Sequence, residues 1–222
     1  MRRFLITFFF VGIITLTACN EETQNEESSS SADTSNANEV IIEPMQLTEK
    51  ESDILDGMGE NALGFDLTVP ADVQGFTLNY RIEHYYEGVK QQDVIDASIT
   101  SRAENPIESF ILNEITVFDP TDASRMGYVY HGITLNEMGH GGRQHSFYPF
   151  HRVNSLNQSD ELRSKTTAEL NEEVTIATRV EDKDDNIEHR GVFDESSSEY
   201  EMMIQDNTDV FIFKLQIESD SQ

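Results

Sequence analysis

One stretch of the chain, residues 76–86, alternates between apolar and polar side chains and constrains the fold more than any other. One face carries Phe76, Leu78, Tyr80, Ile82, His84 and Tyr86, and the other carries Thr77, Asn79, Arg81, Glu83 and Tyr85. Successive side chains of a β-strand point to opposite faces, so this period of two predicts a strand with one buried and one solvated face. Strands of this kind are typical of antiparallel sheets.

The same period recurs along most of the chain. Further strands are predicted at residues 63–69, 93–101, 110–118, 126–135, 144–153, 170–180, 187–193 and 210–217. Two hairpins are expected, one between 126–135 and 144–153 and one between 170–180 and 187–193. Many short strands separated by turns, with few helical patterns, predict an all-β fold, and we expect an immunoglobulin-like β-sandwich over residues 63–222.

The first 18 residues have the order of an export signal. Arg2 and Arg3 precede an apolar run that ends in small residues. The run is shorter than the roughly 20 residues that a membrane-spanning helix needs. A spanning helix and a plain secretory signal are the alternatives to the interpretation that follows.

Leu16-Thr17-Ala18-Cys19 contains the only cysteine of the chain. These residues resemble the lipobox of bacterial lipoproteins. The resemblance implies that residues 1–18 are a signal peptide, and that Cys19 carries a covalent lipid such as palmitate at the new N-terminus. It also implies a location on the extracytoplasmic face of the cell membrane, where the lipid is the contact with the bilayer.

Two segments separate this signal from the β-domain. Residues 19–39 are rich in acids and serine, and such a composition predicts a disordered tether. Residues 40–62 predict a short helical segment, with a capping-box pattern at Thr48 and Glu51 and apolar residues at helical spacing. This layout is similar to that of small lipoproteins of Gram-positive bacteria.

The formal charge of −27 limits the partners of the chain. An acidic surface repels phosphate backbones, so we expect no binding to nucleic acid. High net charge also promotes solubility, and adaptation to high salt is a second explanation.

The first hairpin is unusual because it has few acids. Between residues 123 and 159, Glu137 is the only acid. Arginine and tyrosine are enriched at the centres of protein interfaces. The hairpin therefore predicts a binding face for a protein, peptide or envelope ligand, with the contacts Arg143, Arg152, Tyr128, Tyr130 and Tyr148. The alternative is a hairpin with few charges because it is buried.

Histidines in the same region suggest a metal site. If the hairpin closes about Met138, His131 and His145 face each other, and His140 in the loop adds a third ligand for zinc or copper. The alternative is that His131 is a core residue bonded to the backbone. Asp182, Asp184, Asn186 and Glu188 resemble the start of a calcium loop but lack its glycine and its final glutamate.

Sequence motifs of catalysis are not found in the chain. It contains no Gly-x-Ser-x-Gly, His-Glu-x-x-His, Ser-x-x-Lys or phosphate-loop pattern. A catalytic triad is defined by geometry and not by spacing, so an extracytoplasmic hydrolase stays an alternative. We expect a membrane-anchored binding module that is not an enzyme and uses no cofactor apart from the lipid, with a metal-binding lipoprotein as the second possibility.

Overall fold

The computed structural model describes residues 38–48, 61–104, 106–122, 124–136, 141–152, 156–182 and 190–219. Within these ranges the chain forms twelve strands and one helix. The elements are β1 (Glu39–Pro44), β2 (Asn61–Thr68), β3 (Gly75–Tyr86), β4 (Val89–Lys90), β5 (Ile95–Arg102), β6 (Ser109–Phe118), β7 (Arg125–Leu135), β8 (Arg143–Arg152), β9 (Leu156–Glu161), β10 (Thr166–Glu169), β11 (Glu173–Asp182), α1 (Ser198–Asp206) and β12 (Asp209–Ser219).

The strands form two antiparallel sheets. The first sheet has the order β10-β1-β2-β6-β7-β8, and the second has the order β4-β3-β12-β11-β9, with β5 also paired to β3. The predicted all-β sandwich is therefore confirmed. Immunoglobulin domains contain seven to nine strands. The described part of this chain contains twelve, so its sandwich is larger than the immunoglobulin-like arrangement that we expected.

Alternating residues from both sheets form the core. β3 contributes Phe76, Leu78, Tyr80 and Ile82, and β12 contributes Phe211, Phe213, Leu215 and Ile217, all of them buried. The first sheet covers them with Phe65, Phe110, Leu112, Tyr128 and Tyr130. The period-two patterns of β3 and β12 thus predicted which of their side chains face the core. Tyr86 at the end of β3 is the exception, because it is exposed.

Three predictions about the termini and connections have different outcomes. Residues 40–44 belong to β1, which pairs with β2 and β10, so this part of the expected helical segment is wrong. The rest of that helix, at 49–60, lies outside the described residues, as do the signal peptide, Cys19 and the tether up to residue 37. Residues 187–189 lie outside the described residues, and residues 190–193 are not a strand. β11 pairs with β12 and β9.

The helix α1 covers the outer face of the second sheet. Ser197 caps its N-terminus by accepting a hydrogen bond from the Tyr200 backbone N–H, and Glu199 and Glu201 lie in the first turn. Tyr200 and Met203 form a buried cluster with Val210 and Ile212 of β12. Among the described residues, no helix has the length and apolarity that crossing a membrane requires.

Candidate binding cleft

The hairpin of β7 and β8 has the register that the sequence predicted. His131 pairs with His145 across the ladder, and their ring centroids lie 6.3 Å apart. His140 lies outside the described residues. Within those residues, no group of three or more histidine, cysteine, aspartate or glutamate side chains is placed to hold a metal ion. Structural zinc sites use four protein ligands, and metal binding by the two facing imidazoles stays a prediction.

Two of the predicted contacts are wrong. Tyr128 and Tyr130 point from β7 into the core and are buried. Their rings pack against Phe211 and Phe213 of the facing sheet, with centroids 6.4 and 6.2 Å apart. Part of the hairpin is therefore poor in charge because it faces the core, which was the alternative explanation.

The two arginines of the predicted face are not brought together. Arg143 is exposed at the start of β8, opposite Ile133. Arg152 lies at the other end of the same strand, opposite Arg125. The length of the strand separates them by about 30 Å at roughly 3.3 Å per residue, so a small ligand cannot contact both.

Tyr148 remains a candidate contact because it ends a chain of hydrogen bonds at a cleft. Its hydroxyl lies 3.1 Å from Nδ1 of His84, and Nε2 of His84 lies 2.7 Å from Oδ1 of Asp209. In the tautomer of neutral His84 that donates from Nε2–H to a carboxylate, Nδ1 accepts from the tyrosine hydroxyl. Burial, with the nearby charges of Asp209 and Glu181, raises the pKa of Tyr148 to about 12, so its hydroxyl stays protonated at neutral pH.

A buried arginine, Arg179, packs next to the residues of this hydrogen-bonded series. The Cζ atom of Arg179 lies 3.9 Å from the ring centroid of Tyr128 and 4.1 Å from that of Phe211. Its guanidinium group pairs with Glu114 and with Glu181. Burial alone would lower the pKa of Arg179, but the facing tyrosine and glutamate side chains raise it, so it is charged.

Phe211 links the arginine to the histidine. Its ring stacks on His84 with centroids 4.6 Å apart and an interplanar angle of 12°, and it meets Tyr148 edge-on at 5.7 Å. Between the two sheets, Arg179 thus packs against Phe211, and Phe211 packs against His84. This packing fixes the position of the tyrosine that faces the cleft.

The cleft itself lies between β8 of the first sheet and the β3–β4 region of the second. Its volume is about 580 Å³. It is lined by His84, Tyr86, Gln91, Gln92, Asp93, Val94, Ser146, Phe147, Tyr148 and Pro149. Two of these lining residues are exposed aromatic residues: Tyr86 is 46% exposed and Phe147 is 50% exposed.

Local contacts fix the second-sheet wall of the cleft. Glu87 and Gly88 have φ angles of 47° and 75°, which suit the two central positions of a tight hairpin turn between β3 and β4. Nζ of Lys90 lies 2.6 Å from Glu83 and 3.7 Å from Asp93. The Ser146 hydroxyl donates to the Val94 carbonyl at 3.2 Å and so ties β8 to this wall.

A second cleft, of about 270 Å³, lies between β2, β6, β9 and β11. The Glu114 side chain on its wall is already paired with Arg179. None of the exposed large apolar side chains of the described residues lines it. The cleft beside β8 is therefore the stronger candidate site.

Comparison with known families gives one result. The family model of the YgaN domain matches residues 41–217. This chain belongs to the YgaN domain family. The matched part of this YgaN domain contains the strands that form the cleft and the buried arginine, and it begins after Cys19. No curated protein and no solved structure matched the chain.

Sequence reasoning missed most of the cleft. His84, Tyr148 and Asp209 come from three strands that are far apart in sequence, and no spacing pattern connects them. One signal was available for His84, because it continues the apolar face of β3 where a core side chain is expected. Nothing in the alternation of β8 indicated that Phe147 would be exposed beside a cleft.

Proposed function

We propose that this protein is a lipid-anchored binding module that holds an envelope ligand in the cleft beside β8 without changing it chemically. The observation that carries this proposal is that two exposed aromatic residues, Tyr86 of the second sheet and Phe147 of the first, line one cleft. Exposed apolar side chains that gather around a concave site indicate ligand binding, whereas single ones need no explanation. The cleft also has polar groups that can orient a ligand.

The chemistry of the hydrogen-bonded chain favours binding over catalysis. A tyrosine with a raised pKa is a poor nucleophile at neutral pH, because nucleophilic groups are activated by a lowered pKa or by an adjacent base that is free to take the proton. Both ring nitrogens of His84 are already engaged. In this proposal, the hydrogen bonds that run from Asp209 through His84 hold the Tyr148 side chain in a fixed position.

Attachment to the extracytoplasmic face of the membrane by a lipid on Cys19 is part of the proposal. It is supported by the lipobox pattern of residues 16–19. Cys19→Ser is expected to abolish incorporation of a radiolabelled fatty acid and to move the protein from the membrane fraction to the medium or to an unprocessed precursor. Labelling of the serine variant at the wild-type level would refute lipidation at this residue.

The cleft is tested by sedimentation of the full-length protein, in detergent micelles, with insoluble bacterial envelope material. Tyr86→Ala and Phe147→Ala are each expected to weaken binding about tenfold or more. Burying an aromatic ring contributes about 1.5–3 kcal/mol, and 1.4 kcal/mol corresponds to a factor of ten.

Phe118→Ala is the matched control, because Phe118 is 61% exposed and does not line the cleft. Its binding and its melting temperature should equal those of the wild type. If the two cleft variants bind envelope material as well as the Phe118 control does, the cleft is not the site and the proposed function fails.

A further inference from the structure

We infer that the ligand of this cleft is a neutral polysaccharide. The inference rests on the proposed function and names the chemical class that the same site accepts. Three properties of the lining carry it: its charge, its aromatic side chains and its hydrogen-bonding groups.

The charge of the lining favours a neutral ligand. Among the described residues that line the cleft, Asp93 is the only one with a carboxylate, and none is a lysine or an arginine. His84, which also lines the cleft, is hydrogen-bonded to Asp209 through Nε2 and to Tyr148 through Nδ1. The chain as a whole carries a formal charge of −27 and repels anionic polymers. Oδ1 of Asp93 lies 3.7 Å from Nζ of Lys90, and this positive charge offsets that of the carboxylate. The cleft therefore does not require a cationic ligand.

The aromatic side chains suit the apolar faces of sugar rings. Tyr86 and Phe147 are half exposed and line the cleft, and the Tyr148 ring, which also lines it, meets His84 edge-on with centroids 5.5 Å apart. A pyranose ring has faces made of C–H groups and an edge made of hydroxyls. Aromatic rings bury the C–H faces, while the polar tip of a tyrosine stays in water.

The polar groups suit hydroxyls, which both donate and accept hydrogen bonds. Asp93 lines the cleft with a side chain that is 23% exposed, and a carboxylate accepts hydrogen bonds from hydroxyls. The Gln91 amide N–H donates to the Val89 carbonyl at 2.8 Å, which fixes that side chain in the lining. Gln92 adds a second amide with donor and acceptor groups. A site built to accept from hydroxyls rejects analogues that lack them.

An extended peptide is the competing occupant, and one residue disfavours it. A peptide that binds by strand addition needs a regular row of backbone donors and acceptors along the edge of a sheet. Pro149 of β8 lines the cleft and has no backbone N–H. The row of donors is therefore interrupted at the cleft, whereas a polysaccharide does not depend on it.

The test uses the full-length protein in detergent micelles and insoluble bacterial envelope material before and after exhaustive protease digestion. Soluble cellohexaose and chitohexaose serve as neutral competitors, and polyglutamate serves as an acidic peptide competitor. Binding is expected to survive digestion and to be reduced by at least one neutral oligosaccharide. Asp93→Asn, which changes one acceptor oxygen into a donor group, is expected to weaken binding about tenfold, and Phe118→Ala should not.

The outcomes separate this inference from the function on which it rests. Binding that is lost after protease digestion, or that neither oligosaccharide reduces, overturns the polysaccharide class. If Tyr86→Ala and Phe147→Ala still weaken that binding, the cleft remains the site of a different ligand. If they leave binding unchanged, the proposed function itself fails.

Discussion

Arg179→Ala is expected to lower the free energy of unfolding by about 3–5 kcal/mol. Arg179 is fully buried and faces two buried carboxylates, Glu114 and Glu181. The substitution removes the cation that faces both, and a buried charge without its counter-ion carries a large desolvation cost. It also leaves a cavity beside the rings of Tyr128 and Phe211, both of which contact the guanidinium group.

Urea unfolding of the full-length protein measures this loss. The chain has no tryptophan, so far-UV circular dichroism of the strands is the suitable signal. A variant that replaces the whole cluster by apolar side chains, Arg179→Met with Glu114→Leu and Glu181→Leu, is the control. It should be more stable than Arg179→Ala, because replacing all members of a buried ionic cluster removes the desolvation cost of each. A loss below about 1 kcal/mol for Arg179→Ala would contradict this account.

Phe211→Ala is expected to destabilise the protein by about 3–5 kcal/mol as well, because a large buried ring is removed and the cavity relaxes only in part. The ring is buried in β12 and contacts Arg179, His84 and Tyr148. Its loss removes the support of the hydrogen-bonded chain, so binding to envelope material should weaken too, even though Phe211 does not line the cleft.

Phe118→Ala again provides the comparison within the same residue type. A substitution at an exposed position changes stability by about 0.5 kcal/mol or less. Equal midpoints in urea for Phe211→Ala and Phe118→Ala would mean that the packing between the sheets does not depend on this ring. Phe211→Leu, which keeps part of the volume, should lie between the two.

Much of the sandwich could be predicted because the alternation of apolar and polar residues along a strand directly reflects which side chains are buried. β3 and β12 have core residues at every second position, and each was predicted with its buried face. The register of β7 and β8 also followed from the sequence, because the position of the loop fixes which residues face each other, as His131 and His145 do. These features depend on local patterns that tertiary contacts did not override.

Other elements were not predicted from local patterns. The helix α1 is nine residues long and contains two apolar methionines and an isoleucine among acids, so no long amphipathic period marked it. β1 pairs with β2 and β10, and its β-branched residues Val40, Ile41 and Ile42 are a local strand signal that the helical interpretation of 40–62 did not use. Tyr128 and Tyr130 were predicted as contacts on an exposed face, since composition alone does not show which face of a hairpin turns inward.

The cleft belongs to the unpredictable part because its residues meet only in three dimensions. Tyr86 and Phe147 come from different sheets, and the chain of Tyr148, His84 and Asp209 joins β8, β3 and β12. Each side chain is ordinary in its own strand. What distinguishes them is their arrangement around one concave surface.

The most direct test of the cleft is site-specific photo-crosslinking in living cells. A benzophenone amino acid replaces Phe147 in the full-length protein, and in separate variants it replaces Tyr86 or Phe118. We expect crosslinks to one envelope component from positions 147 and 86 and none to that component from position 118. Crosslinking to it from position 118 with none from 147 and 86 would contradict the claim that this cleft binds the ligand.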